Sequence, residues 1–143
     1  MNYKEIVIED LRNYNYLKQG VENAKARIRA LEYAAEGLQA GEPVRAGRRR
    51  SARDDRMVDN IAERERLKLN LRTAQTLLRM IDSALSTLSE QEREILNEFY
   101  INKREGHAER LCHRFCVEKS KVYTMKDEAL RKMAIGMYGV IEL

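Results

Sequence analysis

Residues 118–133 read EKSKVYTMKDEALRKM, and the spacing of their apolar side chains decides which fold to expect. The apolar positions recur at i, i+3, i+7, i+8 and i+11, which is the spacing of one face of an α-helix. They are Val122, Met125, Ala129, Leu130 and Met133. The remaining positions are mostly basic or hydroxyl-bearing. The stretch therefore predicts a helix with one buried face and one exposed, basic face.

Two shorter helices are predicted upstream of this segment, so that residues 89–133 form a three-helix unit. Ser89 and Glu92 match the S-x-x-E pattern of a capping box, which predicts a helix start. That helix is expected to end at Asn102, and the next to span His107 to Phe115. The last helix then begins near Glu118. This spacing is typical of a helix-turn-helix, whose second helix can enter the major groove of DNA.

The composition favours an all-α fold. The chain has 143 residues, of which 35% are charged and 6% aromatic, with a single proline. This length allows one ordinary domain or two small ones. The most apolar stretch, residues 133–141, is far shorter than the roughly 20 residues that a membrane-crossing helix needs. Both cysteines lie in one predicted helix and no secretory signal opens the sequence, so we expect a cytoplasmic protein that does not use a membrane.

Residues 1–88 are predicted to form a long antiparallel helical hairpin, and residues 89–143 a separate domain. The hairpin is expected because two heptad seams occur. Apolar residues outside the seams would be free to contact a second copy, so a homo-oligomer is expected. The first seam contains Tyr14, Leu17, Val21, Ala24, Ile28, Leu31, Ala35 and Leu38, and the second Leu67, Leu71, Ala74, Leu78, Ile81, Leu85 and Leu88.

Residues 39–55 interrupt both seams and are predicted to be the loop of the hairpin. Gly41, Pro43 and Gly47 break the helical periodicity. The loop is basic, so phosphate binding without sequence recognition is one interpretation and a solvated connector is the other. Its candidate phosphate contacts are Arg45, Arg48, Arg49, Arg50 and Arg53.

The three-helix unit resembles region 4 of the sigma-70 family, a small domain that recognises promoter DNA. The residues that carry the resemblance are the opening Leu88 to Arg93, the middle helix Glu109 to Phe115, the turn at Cys116 and Val117, and the closing segment from Val122 to Met133. With its helical hairpin, the whole chain resembles the ArpU and RinA class of phage transcriptional regulators. The resemblance implies a phage or prophage regulator of late genes that acts on double-stranded DNA.

The resemblance also implies which residues face the DNA. An exposed charged face without a ligand is the alternative. Lys121 and Arg131 are expected to contact phosphates, whereas Thr124 could contact either a thymine methyl group or a phosphate. Region 4-like domains also offer a surface to RNA polymerase, for which the acidic helix from Glu90 to Glu98 is the candidate here. The predicted DNA-binding residues are Lys119, Ser120, Lys121, Tyr123, Thr124, Lys126 and Arg131.

Two positions depart from the family pattern. Cys116 stands where the turn often has a glycine in a left-handed conformation, and Glu118 stands where serine or threonine usually caps the last helix. Cys112 and Cys116 are spaced i, i+4, but the neighbouring His113 would point about 100° away from Cys112. Buried structural thiols are therefore expected in place of a metal site.

No motif for catalysis or for a cofactor is present in the sequence, so an enzyme is not expected. Two other functions remain open. One is a DNA-packaging adaptor similar to small terminase subunits, which also join a helix-turn-helix to a helical oligomerisation hairpin. The other is a helical interaction module that does not bind DNA. The apolar tail, residues 134–143, is expected to pack on the three-helix core, on a second subunit or on polymerase. Gly136 and Gly139 argue against a continuous helix there.

Overall fold

The computed structural model describes residues 2–39 and 52–141, and within these ranges the chain is helical with no β-strand. The predicted all-α fold is confirmed. A π-helical turn, Asn97–Ile101, directly follows the fourth helix. The helices are α1, Tyr3–Arg12; α2, Tyr14–Gln39; α3, Ala52–Ser86; α4, Glu90–Leu96; α5, His107–Phe115; and α6, Lys119–Tyr138.

The chain divides into two compact units along lines other than the predicted boundary at residue 88. The first, here called the terminal unit, combines Met1–Lys18 with Thr76–Leu143, and the second, the central unit, is Gln19–Gln75. Helix α1 therefore belongs with the C-terminal helices. The cause is hydrophobic burial, because Val7 and Leu11 of α1 have no exposed surface and lie in one cluster with apolar side chains of α3, α4 and α6.

The main core of the terminal unit is built from α1, the end of α3, α4 and α6. Enclosing a side chain of the size of Leu11 or Val7 contributes about 1.5–3 kcal/mol. Helix α1 is thus a substantial part of what stabilises the unit. The buried members of this core are Val7, Leu11, Ile81, Ala84, Leu88, Leu96, Ala129, Leu130, Met133, Ala134 and Met137.

Helix α6 continues through the tail that the glycines were expected to interrupt, and ends only at Gly139, which has the left-handed φ of 69°. Gly136 lies within α6, at a point where this helix comes close to α3. A Cβ atom at this position would lie 3.2 Å from the Cβ of Ala84. The Tyr138 hydroxyl donates a hydrogen bond to Asp10 in α1, at 2.5 Å. Up to Tyr138, the tail therefore packs on its own chain.

A second, smaller cluster joins α4 and the π-turn to α5 and α6. Its buried members are Ile95, Phe99, Leu111 and Val122. The apolar face predicted for α6 is confirmed by the two clusters together, since all its residues are buried except Met125, which is half-buried.

In the central unit, α2 and α3 pair in antiparallel directions. The Asn60 side-chain amide donates to the Leu31 carbonyl at 2.8 Å, and Arg27 forms an ion pair with Glu63 at 3.2 Å. Going forward along α2 from Arg27 to Leu31, the partner in α3 moves backward from Glu63 to Asn60, which is the order that antiparallel helices give. The buried side chains of α2 in this unit are Val21, Ile28, Leu31 and Ala35.

Helices α2 and α3 extend into the two ends of the segment 39–55 that was predicted to be a loop. Gln39 is the last residue of α2, and α3 already begins at Ala52. Arg53, predicted to contact phosphate from the loop, instead lies in α3 and donates hydrogen bonds to the Leu38 carbonyl. Carbonyls in the last turn of a helix lack partners within it, so Arg53 helps to end α2. The other predicted phosphate contacts, Arg45, Arg48, Arg49 and Arg50, lie outside the described residues.

The capping box at the start of α4 is present as predicted and is tied to α6. The backbone N–H of Ser89 donates to Glu92, and Lys132 forms an ion pair with Glu92 at 3.0 Å. Burial acts to raise the pKa of Glu92, but the hydrogen bonds from Ser89 and Lys132 outweigh it and hold the pKa below its usual 4.5.

This lowered pKa makes the stability of the terminal unit sensitive to acid. Since Glu92 has a lower pKa in the folded than in the unfolded chain, its contribution is complete above pH 4.5 and is lost as the pH falls through the folded pKa. We expect Glu92→Gln to lower the free energy of unfolding at pH 7 and to reduce its decline below pH 4.5. Urea unfolding at a series of pH values measures both. An equally steep decline in the variant would contradict this role.

Candidate nucleic-acid interface

The turn between α5 and α6 contains a residue in the left-handed conformation, at the position where region 4-like turns often have a glycine. Cys116 has φ 54°, and the backbone N–H of Val117 donates to the Cys112 carbonyl at 3.2 Å. The turn closes α5 at Phe115 and allows α6 to begin at Lys119. Glu118 occupies the N-cap position without a side-chain hydrogen bond to the helix.

The two cysteines differ in their surroundings. Cys112 is half-buried against the smaller cluster, but Cys116 is exposed, so the expectation of two buried thiols is wrong for Cys116. Its position in the left-handed turn takes the side chain out of the core. Across residues 2–39 and 52–141, no three histidine, cysteine or acidic side chains are grouped as metal ligands would be.

A left-handed conformation costs a residue with a Cβ about 1–2 kcal/mol relative to glycine, partly offset because glycine loses more entropy on folding. We therefore expect Cys116→Gly to raise the free energy of unfolding by about 1 kcal/mol. Urea unfolding measures this change. Cys116→Ala is the control, because it removes the thiol and keeps the strain. If the alanine variant gained as much as the glycine variant, the thiol and not the backbone would be the cause.

The exposed face of α6 lies opposite its buried face over roughly three turns. Six of the seven predicted DNA-binding residues are exposed on it. They are Lys119, Ser120, Lys121, Tyr123, Thr124 and Arg131.

Lys126 is the exception, because it is drawn back against aromatic rings. Its side chain is only 18% exposed and forms an ion pair with Asp127 at 3.1 Å. The ammonium group lies 5.8 Å from the centre of the Phe99 ring and 5.3 Å from that of Tyr123. A cation is attracted to the face of such a ring. The Lys126 ammonium therefore stabilises the position of the Tyr123 ring, a role that helical spacing alone did not reveal.

Tyr123 is held in a defined orientation while much of its ring stays accessible. The residue is 40% exposed, and its ring meets the Phe99 ring edge-on at 5.5 Å between centroids. Phe99 belongs to the π-turn after α4 and is itself buried. The sequence predicted that Tyr123 lies on the outer face, but it did not predict the contact between its ring and the Phe99 ring.

Acidic side chains neutralise two of the three basic residues on this face. Lys119 pairs with Glu109 of α5 at 3.4 Å, and Arg131 pairs with Glu128 at 2.6 Å. The hydrogen bond from Arg131 holds the pKa of Glu128 below its usual value. Lys121 makes no ion pair with any residue in the described part of the chain.

The acidic segment from Glu90 to Glu98, proposed for polymerase contact, spans α4 and the start of the π-turn and directs most of its carboxylates towards α5 and α6. Glu94 pairs with Arg114 at 2.9 Å, and Glu98 pairs with Arg110 at 3.4 Å. Glu92 already pairs with Lys132 of α6. These pairs link residues far apart in sequence, so the run of glutamates from Glu90 to Glu98 overstated how much negative surface this segment presents.

Comparison of the chain with protein-family models, with curated proteins and with solved structures returned no match. None of the helices in the described residues has the length and apolar character needed to cross a membrane.

Proposed function

We propose that the terminal unit binds double-stranded DNA by placing the exposed face of α6 in the major groove, and that the protein regulates transcription. One observation supports this most directly. Helix α6 presents basic, hydroxyl and aromatic side chains along one face, while its opposite face is fixed in the cores formed with α1, α4 and α5. The major groove of B-DNA is about 12 Å wide and admits an α-helix.

The side chains on this face suit two different tasks. Lys121 and, at the far end of the face, Arg131 can contact phosphates, which position a protein on the duplex without reading its sequence. Between them, Ser120, Tyr123 and Thr124 offer hydroxyl and apolar groups of a size suited to the edges of bases. Lys119 can contact either a phosphate or a base once its ion pair with Glu109 is broken.

The resemblance to the ArpU and RinA class supports a narrower proposal, in which the target genes are phage or prophage late genes and the protein acts in the cytoplasm. The central unit supports self-association, because Val58, Ile61 and Leu69 on α3 are 43%, 46% and 60% exposed. A contact to RNA polymerase through the acidic segment from Glu90 to Glu98 has less support, since three of its four carboxylates already pair with arginine or lysine.

Selection of bound genomic fragments with the purified protein, at two salt concentrations, tests the proposal. Nonspecific binding depends mainly on counterion release and falls steeply with salt, so a sequence that is enriched at both concentrations indicates specific recognition. Enrichment of one recurring site upstream of phage structural genes would support the regulator. No enrichment at either concentration would refute it. A closed ring of about eight or more subunits would instead favour the packaging adaptor.

The ion pair between Glu128 and Arg131 leads to a separate expectation for affinity. Glu128 brings a negative charge to the proposed DNA-facing surface and occupies the guanidinium that would bind phosphate. We expect Glu128→Gln to increase DNA affinity by about three- to tenfold near 0.1 M salt. The control is Glu22→Gln, which removes another acid paired at i, i+3, with Lys25 on α2. An equal increase in both variants would mean that net charge alone is responsible.

A further inference from the structure

We infer that α6 recognises thymine through its C5-methyl group, with Thr124 and Tyr123 as the residues that determine this specificity. The inference rests on the proposed function and names the chemical feature of the base that the face would read. The thymine methyl group is exposed in the major groove and is the one apolar group that a base pair presents there.

Thr124 is oriented for an apolar contact by a hydrogen bond within its own helix. Its hydroxyl donates to the Ser120 carbonyl at 3.0 Å. A hydroxyl has a single hydrogen to donate, and phosphate oxygens only accept. With this hydrogen used inside the helix, Thr124 is a poor phosphate ligand. The side chain is exposed, and its methyl group is the part left for a partner. Of the two contacts that the sequence allowed for this residue, the structure favours the thymine methyl.

Tyr123 adds a larger apolar surface one position away. Its ring is fixed against the edge of Phe99 at 5.5 Å and by the Lys126 ammonium at 5.3 Å, so little further side-chain entropy is lost when a base contacts it. Lys126 is itself paired with Asp127, which reduces its value as a base or phosphate contact. The middle of the face is therefore aromatic and methyl-bearing, and Lys121, which has no ion pair within the described residues, lies one turn before Thr124.

Replacing thymine by uracil removes the methyl group and leaves base pairing unchanged, so it is the direct test. Sites would first be selected with the full-length protein from a random duplex library that contains thymidine. Binding would then be titrated on the selected site and on versions with deoxyuridine at single positions. We expect at least one thymine whose replacement weakens binding by about fourfold, which corresponds to the burial of one methyl group.

Matched variants assign the effect to named side chains. Thr124→Ser keeps the hydroxyl and loses the methyl group, so it should bind the thymine and uracil sites equally at the position that Thr124 reads. Thr124→Val keeps a methyl group and loses the hydroxyl, so it should retain the preference for thymine. Tyr123→Phe should behave like the unmodified protein, whereas Tyr123→Ala should lose discrimination at a neighbouring position.

The outcomes separate this inference from the proposed function. If no site is selected, DNA recognition itself is refuted and the methyl contact with it. If a site is selected but uracil replaces thymine at every position without loss, the protein recognises DNA by other groups and the inference is wrong. A uracil effect that Thr124→Ser and Tyr123→Ala both leave intact would also overturn the assignment to these residues.

Discussion

Replacing Leu11 with alanine is expected to lower the free energy of unfolding of the terminal unit by about 3 kcal/mol. Leu11 has no exposed surface and lies in the main core with Leu96, Leu130 and Met133. Truncation removes the buried apolar area and leaves a cavity that close-packed neighbours fill only in part. Because the same core fixes the buried face of α6, DNA binding should weaken at temperatures where the variant begins to unfold.

Urea unfolding followed by circular dichroism measures this loss. The matched control is Leu69→Ala, the same substitution on α3, where the leucine is 60% exposed. Because Leu69 belongs to the surface proposed for self-association, the control is measured at a protein concentration at which the chain is monomeric, where it should lose less than about 0.5 kcal/mol. If Leu11→Ala cost no more than Leu69→Ala, α1 could not be an integral part of the core, and a domain of residues 89–143 alone would be the better description.

The double variant Lys119→Ala, Lys121→Ala is expected to weaken DNA binding by about tenfold near 0.15 M salt. It should also reduce the slope of log affinity against log salt by about two, since each lysine that neutralises a phosphate contributes roughly one. Both side chains are exposed on the first turn of α6, so their loss should not change the helical content.

Binding isotherms at four salt concentrations test this expectation. The control is the double variant Lys25→Ala, Lys68→Ala, which removes two positive charges from the central unit; these side chains are 39% and 40% exposed. A similar loss in the control would indicate attraction by net charge and not docking of α6. Unchanged binding in the first variant would show that the DNA-facing surface lies elsewhere.

Features that depend on neighbours in sequence were predicted well. The capping box needs only Ser89 and Glu92, and the apolar face of α6 needs only the helical repeat, so both were predictable without tertiary structure. The turn at Cys116 was located for the same reason. The resemblance to region 4-like turns pointed to a left-handed residue at this position, and the φ of 54° at Cys116 led to the prediction about stability.

Features that depend on contacts between distant residues were not predictable in this way. The three apolar residues of α1 with i, i+4 spacing, Tyr3, Val7 and Leu11, looked like the start of a hairpin because nothing local identifies their partners. Lys126 falls on the outer face by helical spacing, yet Phe99 in the π-turn attracts it inward. Likewise, the carboxylates of α4 were counted as surface charge until α5 and α6 supplied their arginine and lysine partners.

The packing of α1 against α6 also constrains how the protein is made on the ribosome. Asp10 and Tyr138 are 128 residues apart, so the apolar side of α1 leaves the exit tunnel long before its partners are synthesised. At about 5–20 residues per second, this interval is on the order of ten seconds. During that time Val7 and Leu11 lack the α6 side chains that help to cover them in the folded unit. The main core can close only after residues 119–138 have left the tunnel, so the burial of α1 depends on residues made more than 100 positions later.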